Sequence, residues 1–84
     1  MPSAKDEVVE RTKEIGDPDN YRVRPEARAR RVTKQGRVTY EADVRLPSTM
    51  VAQPEEAKEL AMNTLKAAEL AWEMMDELKK EAGG

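Results

Sequence analysis

The chain has 84 residues, a net charge of −2, 38% charged side chains, and neither cysteine nor histidine. Those two absences exclude disulfides, thiol nucleophiles, Cys/His zinc sites, histidine-ligated haem and any Ser-His-Asp triad. No apolar run approaches the roughly 20 residues that cross a bilayer, and no signal-like segment opens the sequence, so the expectation is one soluble domain over 1–84, recombinant or cytoplasmic, with no membrane contact.

Ser3 is a good N-cap with Asp6 and Glu7 in the turn behind it. Together they predict a helix over about 3–15, with Ala4, Val8, Thr12 and Ile15 on one face. Gly16 offers a left-handed stop, and Asp17-Pro18-Asp19-Asn20 a turn.

Residues 21–46 alternate in strand fashion. Tyr21, Val23, Pro25, Ala27 and Ala29 hold every second position, Arg30 and Arg31 then stand side by side, and the apolar phase resumes at Val32. After Lys34-Gln35-Gly36 it continues as Val38, Tyr40, Ala42, Val44 and Leu46. Side chains in a strand alternate faces, so this pattern predicts a two-faced hairpin with strands at about 20–33 and 37–46. A three-residue loop at Lys34-Gln35-Gly36 would put Val32 opposite Val38. Keeping the earlier apolar residues on the same face then requires a bulge at Arg30 and Arg31, and a bulge would curve the sheet. In that register Ala29 faces Tyr40, Ala27 faces Ala42 and Arg28 faces Glu41. Pro25 has no N–H and is expected on a sheet edge.

Pro47 ends the second strand, and 48–53 can be read more than one way. A long helix is predicted over about 54–82, with Pro54 at its first position, Glu55, Glu56 and Glu59 at its positive end and Lys79-Lys80 at its negative end. Its stripe of Ala57, Leu60, Ala61, Thr64, Leu65, Ala68, Ala71, Trp72, Met75 and Leu78 is widened by Ala67, Leu70 and Met74. An ordinary surface helix buries an arc of about 100° or a little more, so the flank of Ala67, Leu70 and Met74 is expected to meet another element or a second copy of the chain. The fold class is therefore α+β in the order α-β-β-α, with a long bulged, curved hairpin packed against a long C-terminal helix and a short N-terminal one.

The core inventory is thin, with no phenylalanine. Burying an aliphatic side chain contributes about 1.5–3 kcal/mol against about 1.5 kcal/mol of ordering entropy per residue, which favours a homodimer over a monomer. Ala27, Ala29 and Ala42 on the hairpin, set against small helix residues, mean either close approach or enclosed space. Close approach is the simpler reading. A bend would instead favour a cavity lined by Ala27, Ala29, Tyr40, Ala42, Ala68 and Trp72.

The hairpin carries eight basic against three acidic side chains, net +5. A basic face could hold nucleic-acid phosphates, but no aromatic is interleaved for stacking, and cross-strand ion pairing is the simpler use of these charges. Glu69, Glu73, Asp76 and Glu77 alternate with lysines as ordinary helix dressing. No catalytic, metal or cofactor site is expected, and the chain is not read as an enzyme.

Two resemblances follow from these residues. Helix, hairpin, a short strand at Thr49–Ala52 and a helix resemble the α-β-β-β-α order of double-stranded-RNA-binding domains. Pro54-Glu55-Glu56-Ala57-Lys58 stands where that family begins its basic helix, yet with Glu55 and Glu56 in place of lysines, so the family's function does not carry over. The second covers the whole chain. Ser3-Ala4-Lys5-Asp6-Glu7-Val8-Val9, the connector Gly16-Asp17-Pro18-Asp19-Asn20, the alternation of 36–46 and the Gly83-Gly84 end resemble computationally designed α+β proteins with curved antiparallel sheets. Pro25, Pro54, Met62 and the Met74-Met75 pair depart from that style. The resemblance implies a structural scaffold without natural biochemical activity, assembled as a homodimer whose sheet encloses a cavity. The alternative is a small nucleic-acid- or protein-binding module using the arginine-rich outer face.

Overall fold

The computed structural model describes residues 6–48 and 53–83. It is an α+β fold: an antiparallel sheet in the order β1-β2-β3, with one long helix against one face. The strands are β1 (Glu7–Glu14), β2 (Glu26–Lys34) and β3 (Arg37–Arg45), and the helix is α1 (Pro54–Gly83). A single 3-10 turn, Tyr21–Val23, lies between β1 and β2.

The expected N-terminal helix is a strand. Val8, Val9 and Thr12 are β-branched and suit a pleated surface, and the helical face expected for them carried only two large apolar residues, Val8 and Ile15. Pairing supplies the rest. β1 runs antiparallel to β2 from Glu7↔Thr33 to Glu14↔Glu26. That register sets acids against the arginines of the middle strand, with ion pairs Arg31–Glu7 at 3.5 Å and Arg30–Glu10 at 3.9 Å. The hairpin thus gains from within the chain the third strand that an isolated pair needs for stability. The likeness to the α-β-β-β-α family loses its first helix, and the short strand expected at Thr49–Ala52 lies outside the described residues.

The bulge is absent. β2 and β3 pair without interruption from Glu26↔Arg45 to Lys34↔Arg37, around a two-residue turn rather than a three-residue one. Gln35 and Gly36 both have positive φ, 52° and 80°, the conformation of a type I′ turn. The phase at Arg30-Arg31 therefore never slips: Arg31 stays on the same face as Ala27 and Ala29, and Val32 turns to the other. Ala29 faces Ala42, Ala27 faces Val44, and Arg28 faces Asp43 rather than Glu41. With continuous pairing, the reason for expecting a curved sheet disappears.

Pro25 is not on an edge either, because β2 is the central strand. It is tolerated there as the residue just before the strand, where its carbonyl accepts a 3.0 Å hydrogen bond from the Ile15 N–H. Residues 20–25, expected in the first strand, form the 3-10 turn and its exit. Asn20 accepts from the Arg22 N–H at 3.3 Å, leaving Tyr21 62% exposed while Val23 is buried.

The core lies between β2 and α1. Ala27 and Ala29 join Ala67, Ala71, Met74, Met75 and Leu78 in one buried cluster, with Val9, Ile15, Tyr40, Val44 and Leu70 packed partly against it. Small side chains on both surfaces bring helix and sheet close together, the simpler of the two readings of the alanines.

Candidate functional site

Three surfaces were candidates from the sequence: the arginine face, the alanine-lined wall, and the apolar flank of the helix.

The outer sheet face is a lattice of opposite charges. Arg28 makes a two-pronged contact with Asp43 at 2.9 and 2.6 Å, Arg30 lies between Glu10 and Glu41, and Arg24 meets Glu14 at 2.8 Å. The Arg28 hydrogen bond holds the Asp43 carboxyl below its usual range, and the guanidinium is raised in return. Arg22 turns instead to Glu56 on the helix, 3.6 Å away. Among the described residues, Lys34 at the end of β2 and Arg37 and Arg45 at the two ends of β3 have no acidic partner. The cations are mostly engaged within the chain.

The alanine wall divides in two. Ala27 and Ala29 are fully buried in the core, whereas Ala42, Ala68 and Trp72 line an open groove of about 140 Å³ with Asp43, Val44 and Ala71. Tyr40 is half-buried farther along β3, where the Lys79 ammonium lies 5.6 Å from its ring centre and 5.8 Å from that of Trp72. That ammonium caps one end of the groove by cation–π attraction.

The flank expected to meet a partner is not the one left open. Ala67 and Met74 are buried in the chain's own core, and Leu70 packs against the same cluster. What α1 exposes is the opposite flank: Leu65 and Trp72 are each 63% exposed, with Ala61 and Ala68 between and before them on the same face. Periodicity gave the full apolar arc but could not say which side the sheet would take. The second signal lay in the strand order, since β3 is an edge.

β3 is an edge of a particular kind. The Ile15 N–H to Pro25 carbonyl bond fixes which residues of β2 point their backbone groups toward β1, namely the odd-numbered ones. The even-numbered residues of β2 then bond β3 through its odd-numbered residues. Val38, Tyr40, Ala42 and Val44 therefore direct N–H and C=O groups outward, away from the sheet. These same residues face the helix side, so the free backbone edge and the apolar groove lie together.

Among the described residues no group of three or more His, Cys, Asp or Glu side chains could hold a metal ion, and no helix is long and apolar enough to cross a membrane. Comparison with protein-family models, with curated proteins and with solved structures gave no match.

Proposed function

We propose that this chain is a non-catalytic structural scaffold, of the designed α+β kind its sequence resembles, and that it acts as a homodimer. One observation carries the reading: the exposed stripe of Leu65, Ala68 and Trp72 continues directly into the unpaired edge of β3 through the groove at Ala42 and Val44. Monomeric proteins seldom leave a large apolar side chain pair beside an open, alternating strand edge, because that combination invites association. The thin core supports the same reading, since among the described residues the largest side chain fully withdrawn from water is Leu78.

This groove is open, and a second copy would be what closes it. A nucleic-acid-binding role for the arginine face has less support, because Arg24, Arg28 and Arg30 already have carboxylate partners. Light scattering on the eluting protein tests the proposal. A mass near twice 9.5 kDa at micromolar concentration is expected, and a mass of 9.5 kDa up to millimolar concentration would overturn it.

A further inference from the structure

Resting on that homodimer reading, we infer where the two copies meet: β3 pairs antiparallel with β3 of its copy about a two-fold axis at Val44. The result is one continuous six-stranded sheet carrying both helices on the same face. Three independent features of the chain lead to this arrangement.

Helix spacing is the first. α1 packs across β2 and β3, so its axis stands about one strand spacing, ~4.8 Å, from a two-fold axis that runs beside β3. The two helices would then lie roughly 10 Å apart, within the distance at which helices pack side by side. Ala61, Ala68 and Trp72 face that seam, and Ala68 and Ala61 are small enough to admit the opposing indole.

Charge narrows the register. A two-fold at Ala42 sets Glu41 against Asp43 of the copy, one at Glu41 sets Arg37 against Arg45, and one at Asp43 opposes that carboxylate to itself. Axes at Thr39, Tyr40 and Val44 match opposite signs without opposing like charges, and the Thr39 axis, which sets Arg37 against Glu41 of the copy, pairs the strands toward the turn, away from the exposed Leu65 and Trp72. The Tyr40 axis opposes Arg37 to Asp43 but brings the two Lys79 ammoniums together, because Lys79 lies over Tyr40. The Val44 axis opposes Arg45, which lacks an acidic partner among the described residues, to Asp43. It also places Ala42 against Leu46 of the copy, covering a side chain now 55% exposed.

Length is the third. The helix runs antiparallel to β3, with Ala68 and Trp72 beside Ala42–Val44 and Lys79 over Tyr40. Thirty helical residues rise about 45 Å, while nine strand residues span about 30 Å, so the N-terminal half of α1 extends past the end of its own sheet. An antiparallel strand centred on Val44 continues the sheet in that direction, beneath Ala61 and Leu65. The seam is then centred between Ala68 and Trp72, where the exposed apolar residues are.

Oxidative cross-linking in this cysteine-free chain tests the arrangement. Val44→Cys is expected to form a covalent dimer rapidly at concentrations where the parent elutes at doubled mass, and Tyr40→Cys is not. Arg45→Glu is expected to raise the dimer dissociation constant at least tenfold, with Arg37→Glu leaving it within twofold. A doubled mass with cross-linking at Tyr40→Cys, or at neither position, overturns the Val44 pairing while the homodimer stands. A parent protein that stays at single mass overturns both. Circular dichroism of each variant at high dilution confirms that it is folded before the comparison is made.

Discussion

Asn63 donates from Nδ2 to the carbonyl of Val23, a 2.8 Å hydrogen bond buried between the helix and the turn that leads into β2. Asn63 is the one polar side chain in the buried face of α1, and this bond fixes where the helix sits along the sheet. Gly16 closes over the pair: at φ +119°, a Cβ there would lie 2.8 Å from Asn63 Nδ2 and 3.0 Å from the Val23 oxygen. Asn63→Ala should cost about 1–3 kcal/mol, because it leaves a buried carbonyl without a donor. Gly16→Ala should cost a similar ~1–3 kcal/mol through backbone strain and crowding of the same contact. Urea unfolding of the two variants and their combination checks this, with the double variant costing less than the sum because both act on one contact.

Close packing of the alanines makes a contrast between faces of the same hairpin. Ala27→Leu and Ala29→Leu should each destabilise by about 1–3 kcal/mol, since both alanines are buried in the core cluster against α1, where extra methylenes overpack. Ala42→Leu, on the open groove, should be within about 0.5 kcal/mol of the parent when measured on the dilute protein. Equal tolerance at Ala27 and Ala42 would mean that empty volume lies under the central strand.

Acid should weaken the fold through two exposed pairs. Arg28 holds Asp43 below its ordinary range by hydrogen bonding, and Arg11, at 2.6 Å from both carboxylate oxygens, does the same to Glu81. A carboxyl depressed in the folded state contributes stability that is complete above its unfolded value near pH 4 and is lost as pH falls through the lower folded value. Unfolding midpoints should therefore decline below about pH 4, and Asp43→Asn should flatten part of that decline. The slope should shrink in 1 M salt, because the pairs face solvent.

Much of this architecture is legible in the sequence, and the rest turns on a few particular residues. The helix from Pro54 is plain because nine apolar residues and Thr64 repeat at its period and Pro54 can begin a helix but not continue one. The alternation of 37–45 was equally plain. Val32 is the obstacle: holding it opposite Val38 on the face of Ala27 and Ala29 demands a bulge at Arg30 and Arg31, whereas in the structure Val32 turns to the other face and Arg31 takes the helix side. What permits Arg31 there is Glu7 on β1, and β1 was hidden because Ser3, Asp6 and Glu7 imitate a helix start. With β1 hidden, one side of β2 stood free, which gave Pro25 its edge position. Gln35 accounts for the false bulge and the shifted register, since a left-handed glutamine beside Gly36 makes a two-residue turn where glycine alone was expected to take positive φ. For the helix flank, periodicity described the arc, but only the position of the sheet could divide Ala67 and Met74, which are buried, from Leu65 and Trp72, which are not.

Trp72 also gives the association a spectroscopic handle, being the single tryptophan of the chain. Its emission should shift to shorter wavelength as concentration rises through the dimer dissociation constant, because an indole now 63% exposed becomes covered. Trp72→Lys should abolish the doubled mass without unfolding the dilute protein, since the side chain it replaces is exposed.

Residue-resolved amide hydrogen exchange on β3 tests the central claim most directly. At a concentration where the mass is doubled, the Ala42 and Val44 amides, which point away from the sheet, should be protected to the level of the Ala27 and Ala29 amides in the central strand, and dilution to the monomer should release them. Ala42 and Val44 amides that exchange as an open edge at doubled mass would contradict the pairing of β3 with its copy.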